Sequence, residues 1–208
     1  MGLCGANFGI NGVIKMKKIG FKKLLLALML LPTFVTAGTV LNECNTGFWC
    51  NHLGFLYEKG KGVKQDVFKA VEFYQKACGL NDDLGCFNLG FMYDKGKGVK
   101  QDVFKAVEFY QKACGLNSGL GCSNLGDSYE KGKGVKQDYF KAVALYQKAC
   151  GLNDDIGCTF LGTMYKYGRG IKQSNIKALE YYGKACDLKS KFGCQRYAEL
   201  KRKIRAGK

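Results

Sequence analysis

The chain has 208 residues, 47% of them apolar, and 33 basic against 17 acidic side chains give it a formal net charge of +16. That length can bury one sizeable core or build a thinner quasi-linear array, and a single proline with little β-branched alternation favours helix. Eleven cysteines are too many for a reduced cytosolic protein without metal sites, and one histidine, His52, makes zinc ligation unattractive.

Residues 1–37 read as an export signal. Lys17, Lys18, Lys22 and Lys23 form a positive n-region, Leu24–Leu31 an apolar h-region, and Val35-Thr36-Ala37 a small-residue cleavage site. The apolar run is about half of the ~20 residues a spanning helix needs, so stable membrane insertion is not expected. Met16 offers a second start, from which Cys4 would be missing. Removing the segment leaves 28 basic against 17 acidic residues, a balance of +11. A positive surface suits nucleic acid, anionic lipid or acidic glycan; export, to the periplasm or beyond, removes nucleic acid from that set.

From Cys78 onward the chain repeats with a constant step. Cys78 and Cys86 recur as Cys114 and Cys122, Cys150 and Cys158, Cys186 and Cys194, each pair eight positions apart and each copy 36 residues after the last. A period of that size marks stacked two-element units. Four units follow an N-terminal cap at 38–50: 51–86, 87–122, 123–158 and 159–194, with 195–208 as a closing helix. Lys59–Asn81 and Lys95–Asn117 are identical, which points to recent duplication.

Each unit holds two helical patterns. In the second, helix A carries Cys86, Leu89, Gly90 and Tyr93 at i, i+3, i+4, i+7, an apolar stripe, with Asp82 or Asp83 as its cap. Gly90 costs about 1 kcal/mol in mid-helix; its recurrence as Gly54, Gly126 and Gly162 predicts close approach by a neighbouring helix. Gly96 ends helix A. The turn Gly96-Lys-Gly98 resembles a phosphate cradle only superficially, since no strand precedes it and the P-loop spacing fails. Helix B opens on Asp102 and runs to Cys114. Phe104, Val107, Tyr110 and Cys114, with Ala106 and Ala113, are expected inside, and Gly115 is expected to close the helix in a left-handed cap. The final helix should turn Tyr197, Leu200 and Ile204 inward.

The cysteines admit two pairings. Pairing within units, Cys50 with Cys78 and so on, strands Cys44 and Cys194 at opposite ends. Pairing neighbours in sequence uses all ten: Cys44–Cys50, Cys78–Cys86, Cys114–Cys122, Cys150–Cys158 and Cys186–Cys194. The even count in an exported chain favours the second. No metal-ligand spacing is present, so no metal or other cofactor is expected, and His52 lies two residues from Cys50, where helical side chains point apart.

The run L-G-x-x-Y, G-x-G-V-x-x-D, K-A-x-x-x-Y-x-K-A resembles the Sel1-like repeat, a relative of the tetratricopeptide repeat. With C-x7-C at 36-residue spacing, the chain from Cys44 to about Ala206 is similar to the Helicobacter cysteine-rich proteins. That resemblance implies an all-α, right-handed α/α solenoid of four repeats plus a C-terminal capping helix, stapled by disulfides, secreted, with helix A lining the concave side. It also implies binding of penicillin-type β-lactams with slow, β-lactamase-like hydrolysis, or action as a secreted factor on host cells.

The residues themselves show no enzyme. A serine β-lactamase needs S-x-x-K with S-D-N and K-T-G; Ser128–Lys131 and Ser174–Lys177 meet the first pattern, and the other two are absent. One histidine cannot build a zinc β-lactamase site. The alternative is a non-enzymatic binding module, its ligand encoded where near-identical units differ. Those positions include Phe55, Phe91, Asp127 and Thr163, then Phe87 and Ser123, then Met92 and Ser128. On helix A they would line a groove suited to a peptide or peptidoglycan fragment, or a host protein; the opposing account is drift on a solvated face. Lys59, Lys61 and Lys64, repeated at Lys95, Lys97, Lys100 and Lys131, Lys133, Lys136, form a ridge that either keeps the rod soluble or attracts polyanionic glycans. A monomer is expected.

Overall fold

The computed structural model describes residues 44–207. The expected export signal, the alternative start and the first part of the N-terminal cap lie outside the described residues.

Nine α-helices and no strand occupy the described chain: α1 Gly47–Lys59, α2 Val67–Gly79, α3 Asp83–Lys95, α4 Val103–Gly115, α5 Gly119–Lys131, α6 Tyr139–Gly151, α7 Asp155–Tyr167, α8 Asn175–Asp187 and α9 Lys191–Arg205. Odd-numbered helices are the A helices, even-numbered ones the B helices. Each packs on its chain neighbours, and the backbones of consecutive A helices also come close, whereas those of consecutive B helices stay farther apart and are reached by long side chains. The stack therefore bends with its A helices on the inside. This is the all-α repeat solenoid that the period implied.

Local chemistry fixes the ends of each helix. Asp66, Asp102 and Asp138 cap the B helices by accepting from backbone N–H groups of the first turn, and Ser174 does the same for α8. A helices stop at Gly60, Gly96, Gly132 and Gly168, all left-handed. The side chains of Gln65, Gln101, Gln137 and Gln173 then donate to the carbonyls of Glu58, Asp94, Glu130 and Lys166, satisfying an end that would otherwise lack a donor.

The left-handed residue after a B helix is not the glycine. Gly115 is helical and Asn117 takes φ 67°, as Asn81 and Asn153 do in their units. Asparagine tolerates that region better than most residues; the last unit places Lys189 there at φ 70°, and Asp187, helical like Gly115, needs no left-handed freedom.

The expected close approach at Gly90 is present. A Cβ there would lie 2.8 Å from the Tyr110 ring and 3.2 Å from the Ala106 carbonyl oxygen. Gly98 owes its place to another contact: at φ 66°, its Cβ would sit 2.6 Å from the carbonyl oxygen of Val67 in the preceding B helix. The G-x-G run is thus a stacking device between units.

Five disulfides join Cys44–Cys50, Cys78–Cys86, Cys114–Cys122, Cys150–Cys158 and Cys186–Cys194. Gly85 lies so near Ala77 that a Cβ would be 2.4 Å from its methyl group, which lets the Cα atoms of Cys78 and Cys86 come within 4.4 Å. From the following unit, Lys112 donates to the Cys78 carbonyl at 2.7 Å and Lys148 to that of Cys114 at 2.7 Å. A cation thus meets the negative end of the previous B helix at these two joints.

Two expectations about burial fail. Phe104 is 69% exposed; the turn of the next unit packs through Gly134 on the neighbouring Val103 carbonyl and leaves the ring uncovered. Ile204 is 39% exposed near the end of α9, where Leu200 alone is deeply buried.

Candidate binding face on the A helices

The inner face is built from A-helix residues that keep part of their surface accessible, some of them resting on a B-helix tyrosine. Phe55 is exposed; Asn51, Phe87, Asn88, Phe91, Asn124, Asp127, Phe160 and Thr163 are half-buried. Of the expected groove residues, Phe55, Phe87, Phe91, Asp127 and Thr163 thus retain accessible surface. Met92, Ser123 and Ser128 do not, and are corrected to interior positions. One step along a helix turns a side chain by about 100°, which carries Met92 from the surface row of Phe91 into the packing between helices. Ser128, at the same place in the third unit, satisfies its hydroxyl on the Asn124 carbonyl at 2.9 Å. Ser123 shares its hydroxyl proton between the Gly119 carbonyl at 2.8 Å and the carboxylate of Asp154, the cap of α7.

The accessible residues form chemically distinct patches. At the N-terminal end Lys61 lies 5.3 Å from the Phe55 ring centroid, and Lys95 and Lys97 lie 5.6 and 5.5 Å from that of Phe91. Phe91 is tilted against Phe87, which stacks on Tyr110. In the middle, Asp127 pairs with Lys131 at 2.7 Å. Asn88 donates to Asn51 at 2.8 Å across α1 and α3. Asn88 and Asn124 escaped the sequence reading. Their signal was the variation of His52, Asn88, Asn124 and Phe160 at one shared position.

Beneath this face, three of the four equivalent B-helix tyrosines bond a side chain of the A helix. Tyr74 donates to Glu58 at 2.8 Å, Tyr146 to Glu130 at 2.8 Å, and Tyr182 meets Thr163 at 3.0 Å. Among the described residues Tyr110 alone has a buried hydroxyl without a partner. Its counterpart carboxylate, Asp94, pairs with Lys133 and Lys95 instead. Burial acts to raise the Asp94 pKa, but those two lysines outweigh it and hold the carboxyl below its ordinary value. Burial, with the charges of Asp94 and Asp127, pushes the Tyr110 phenol up.

Neither S-x-x-K serine is arranged for acyl transfer. Ser128 is 6% exposed, and Lys131 is committed to Asp127. Ser174 accepts from the backbone N–H of Lys177 as a helix cap. Among the described residues no cluster of three or more His, Cys, Asp or Glu side chains could hold a metal.

The Sel1 repeat profile matches residues 50–82, 84–118, 119–154 and 156–190. Helicobacter pylori cysteine-rich protein B is similar to this chain at 43% identity, over 65% of this chain and 98% of that one, with a TM-score of 0.52. The protein c5321 of uropathogenic Escherichia coli, described as a protective antigen with an SLR fold, matches at 32% identity and TM-score 0.69, over 74% of this chain and 33% of its own. A Sel1 repeat protein from Oxalobacter formigenes matches at 28% identity and TM-score 0.65, over 74% of this chain and 59% of its own. The chain thus spans about a third and somewhat over half of the latter two proteins. No curated protein matches it.

Proposed function

We propose, for a chain that belongs to the Sel1 repeat family in its Helicobacter-like cysteine-rich form, that it is an exported recognition module binding an extended peptide or peptidoglycan fragment along its A helices. The observation carrying this reading is that Phe55, Phe91, Asp127 and Thr163, one A-helix position that differs between units, all keep accessible surface while the cysteine joints are repeated. The aromatic–cation end suits an apolar or acidic ligand group. Asp127 and the asparagine amides suit peptide N–H and C=O groups. Five disulfides fit an oxidising compartment, periplasmic or extracellular, and among the described residues no helix is long and apolar enough to cross a membrane.

The β-lactam chemistry implied by family resemblance gains nothing from Ser128 or Ser174, so binding without turnover is the reading advanced. Titration of muramyl peptides into oxidised protein tests it. Phe91→Ala and Asp127→Ala should each weaken binding about tenfold, the loss of one good contact. Unchanged affinity in both would refute the groove. A labelled penicillin mapped covalently to a serine would refute the non-enzymatic reading.

A further inference from the structure

Every B helix exposes one large apolar side chain in its first turn: Phe68 at 68%, Phe104 at 69%, Phe140 at 77% and Ile176 at 80%. The identical segments explain Phe68 and Phe104, but not the other two. The fourth unit has lost its capping aspartate and closing glycine and still keeps an apolar residue here. None of the four belongs to a core cluster.

Cations flank each of them. Lys64 and Lys69 bracket Phe68, Lys100 and Lys105 bracket Phe104, and the pattern continues through Lys136 and Lys141 to Lys172 and Lys177. All eight are exposed, and none enters an ion pair among the described residues. Lys69, Lys105, Lys141 and Lys177 lie over the rings of Tyr57, Tyr93, Tyr129 and Tyr165, and Lys64, Lys100, Lys136 and Lys172 contact neither an acid nor a ring among the described residues. The local acids Asp66, Asp102 and Asp138 are engaged as caps, accepting from backbone N–H groups, while Glu72, Glu108 and Glu180, four residues on from Phe68, Phe104 and Ile176, stay exposed. In the fourth unit no acid lies between Lys166 and Lys177, and Tyr167 is a further exposed aromatic.

Beside Phe104 an open depression of about 690 Å³ is lined by apolar Tyr93, Val99, Val103 and Phe104, with Lys100 and Lys105 outnumbering the capping Asp102 among its charged groups. A second depression repeats the arrangement with Tyr165, Ile171, Lys172 and Lys177.

From this edge, where exposed apolar side chains alternate with unpaired lysines, we propose that the A–B turns form a peripheral docking surface for anionic lipid membranes. Lysines recognise the lipid phosphates while the aromatic rings enter the boundary between headgroups and acyl chains, the composition by which proteins lie on a bilayer without crossing it. A sulphated glycan would satisfy the lysines but leave the four apolar side chains in water, so the rings decide between the two. The inference concerns a different surface from the A-helix groove and stands or falls separately.

The test is flotation of the oxidised unit from Leu41 to Lys208, which contains all nine helices and five disulfides, with vesicles of phosphatidylglycerol and phosphatidylcholine or of phosphatidylcholine alone. Binding is expected only to the anionic vesicles, weakening as salt rises. Replacing Phe68, Phe104 and Phe140 by Ser should reduce it at least tenfold with the melting temperature unchanged, since the rings support no core. Lys100→Glu should reduce it about fivefold or more. Absence of vesicle binding would overturn the proposal. So would heparin binding that the triple serine variant retains in full without vesicle binding, which would identify a glycan surface instead.

Discussion

Tyr110 buries its hydroxyl beside Asp94 without donating to it, while Tyr74 and Tyr146 at the same repeat position donate to Glu58 and Glu130. The difference is one methylene. Glu130 accepts from Tyr146 through Oε2 and from Arg169 of the next unit through Oε1, whereas Asp94 reaches its cross-unit cation, Lys133, and not the phenol. Asp94→Glu should therefore stabilise the oxidised protein by about 1 kcal/mol, the net value of one buried hydrogen bond. Tyr110→Phe should also be neutral or stabilising, but Tyr74→Phe and Tyr146→Phe should each cost about 1 kcal/mol. Urea denaturation of the four variants checks the opposite signs.

The stacking role of the second turn glycine is testable against its own copies. Gly98→Ala and Gly134→Ala should each cost at least about 2 kcal/mol, combining left-handed strain with a clash against a fixed carbonyl. Gly62 has a similar φ but nothing within 4 Å of an added Cβ, so Gly62→Ala should cost only about 1 kcal/mol. Gly115, helical and uncrowded, should gain about 0.5–1 kcal/mol on replacement by Ala. Thermal unfolding of the four variants should return that order.

Asp154 predicts a pH dependence. Burial raises its pKa, only partly offset by hydrogen bonds from Ser123 and the Gly157 N–H. Its folded pKa therefore lies above the unfolded one, and the ionised form subtracts stability above that folded pKa; the penalty fades as pH falls to the ordinary aspartate value near ~3.9. Glu58 has the opposite sign: burial acts to raise it, but Lys59 and Tyr74 outweigh that, so its contribution is present at neutral pH and lost as pH falls through its lowered value. Asn caps helices as well as Asp. Asp154→Asn should raise the urea midpoint at pH 7, by an amount that shrinks toward pH 4. A gain constant across that range would contradict the assignment.

The staples should matter individually. Replacing Cys114 and Cys122 together by Ala should cost about 2–3 kcal/mol by the chain-entropy estimate for so short a loop. Denaturant midpoints of that variant and of the wild type, with and without reductant, measure it.

The period and the glycines of helix A made the architecture readable, because each is a strong local constraint repeated four times. What the sequence could not supply was the direction of a side chain relative to the next unit. Phe104 fits an apolar helical stripe as well as Val107 does, and only the stacking leaves it outside. Met92 varies between units as Phe91 does, yet one change adjusts core volume and the other alters surface. Periodicity within a helix cannot separate those cases, since the neighbour that buries Met92 belongs to another element.

The most direct test of recognition by the A face is to exchange its residues without changing their composition. Phe91→Asp combined with Asp127→Phe swaps two half-buried positions 36 residues apart and leaves the disulfides and joints intact. If ligand order is read along the A helices, muramyl-peptide affinity measured by calorimetry falls at least about tenfold while the melting temperature stays within a few degrees. A swapped protein that binds as tightly as the wild type would contradict the account.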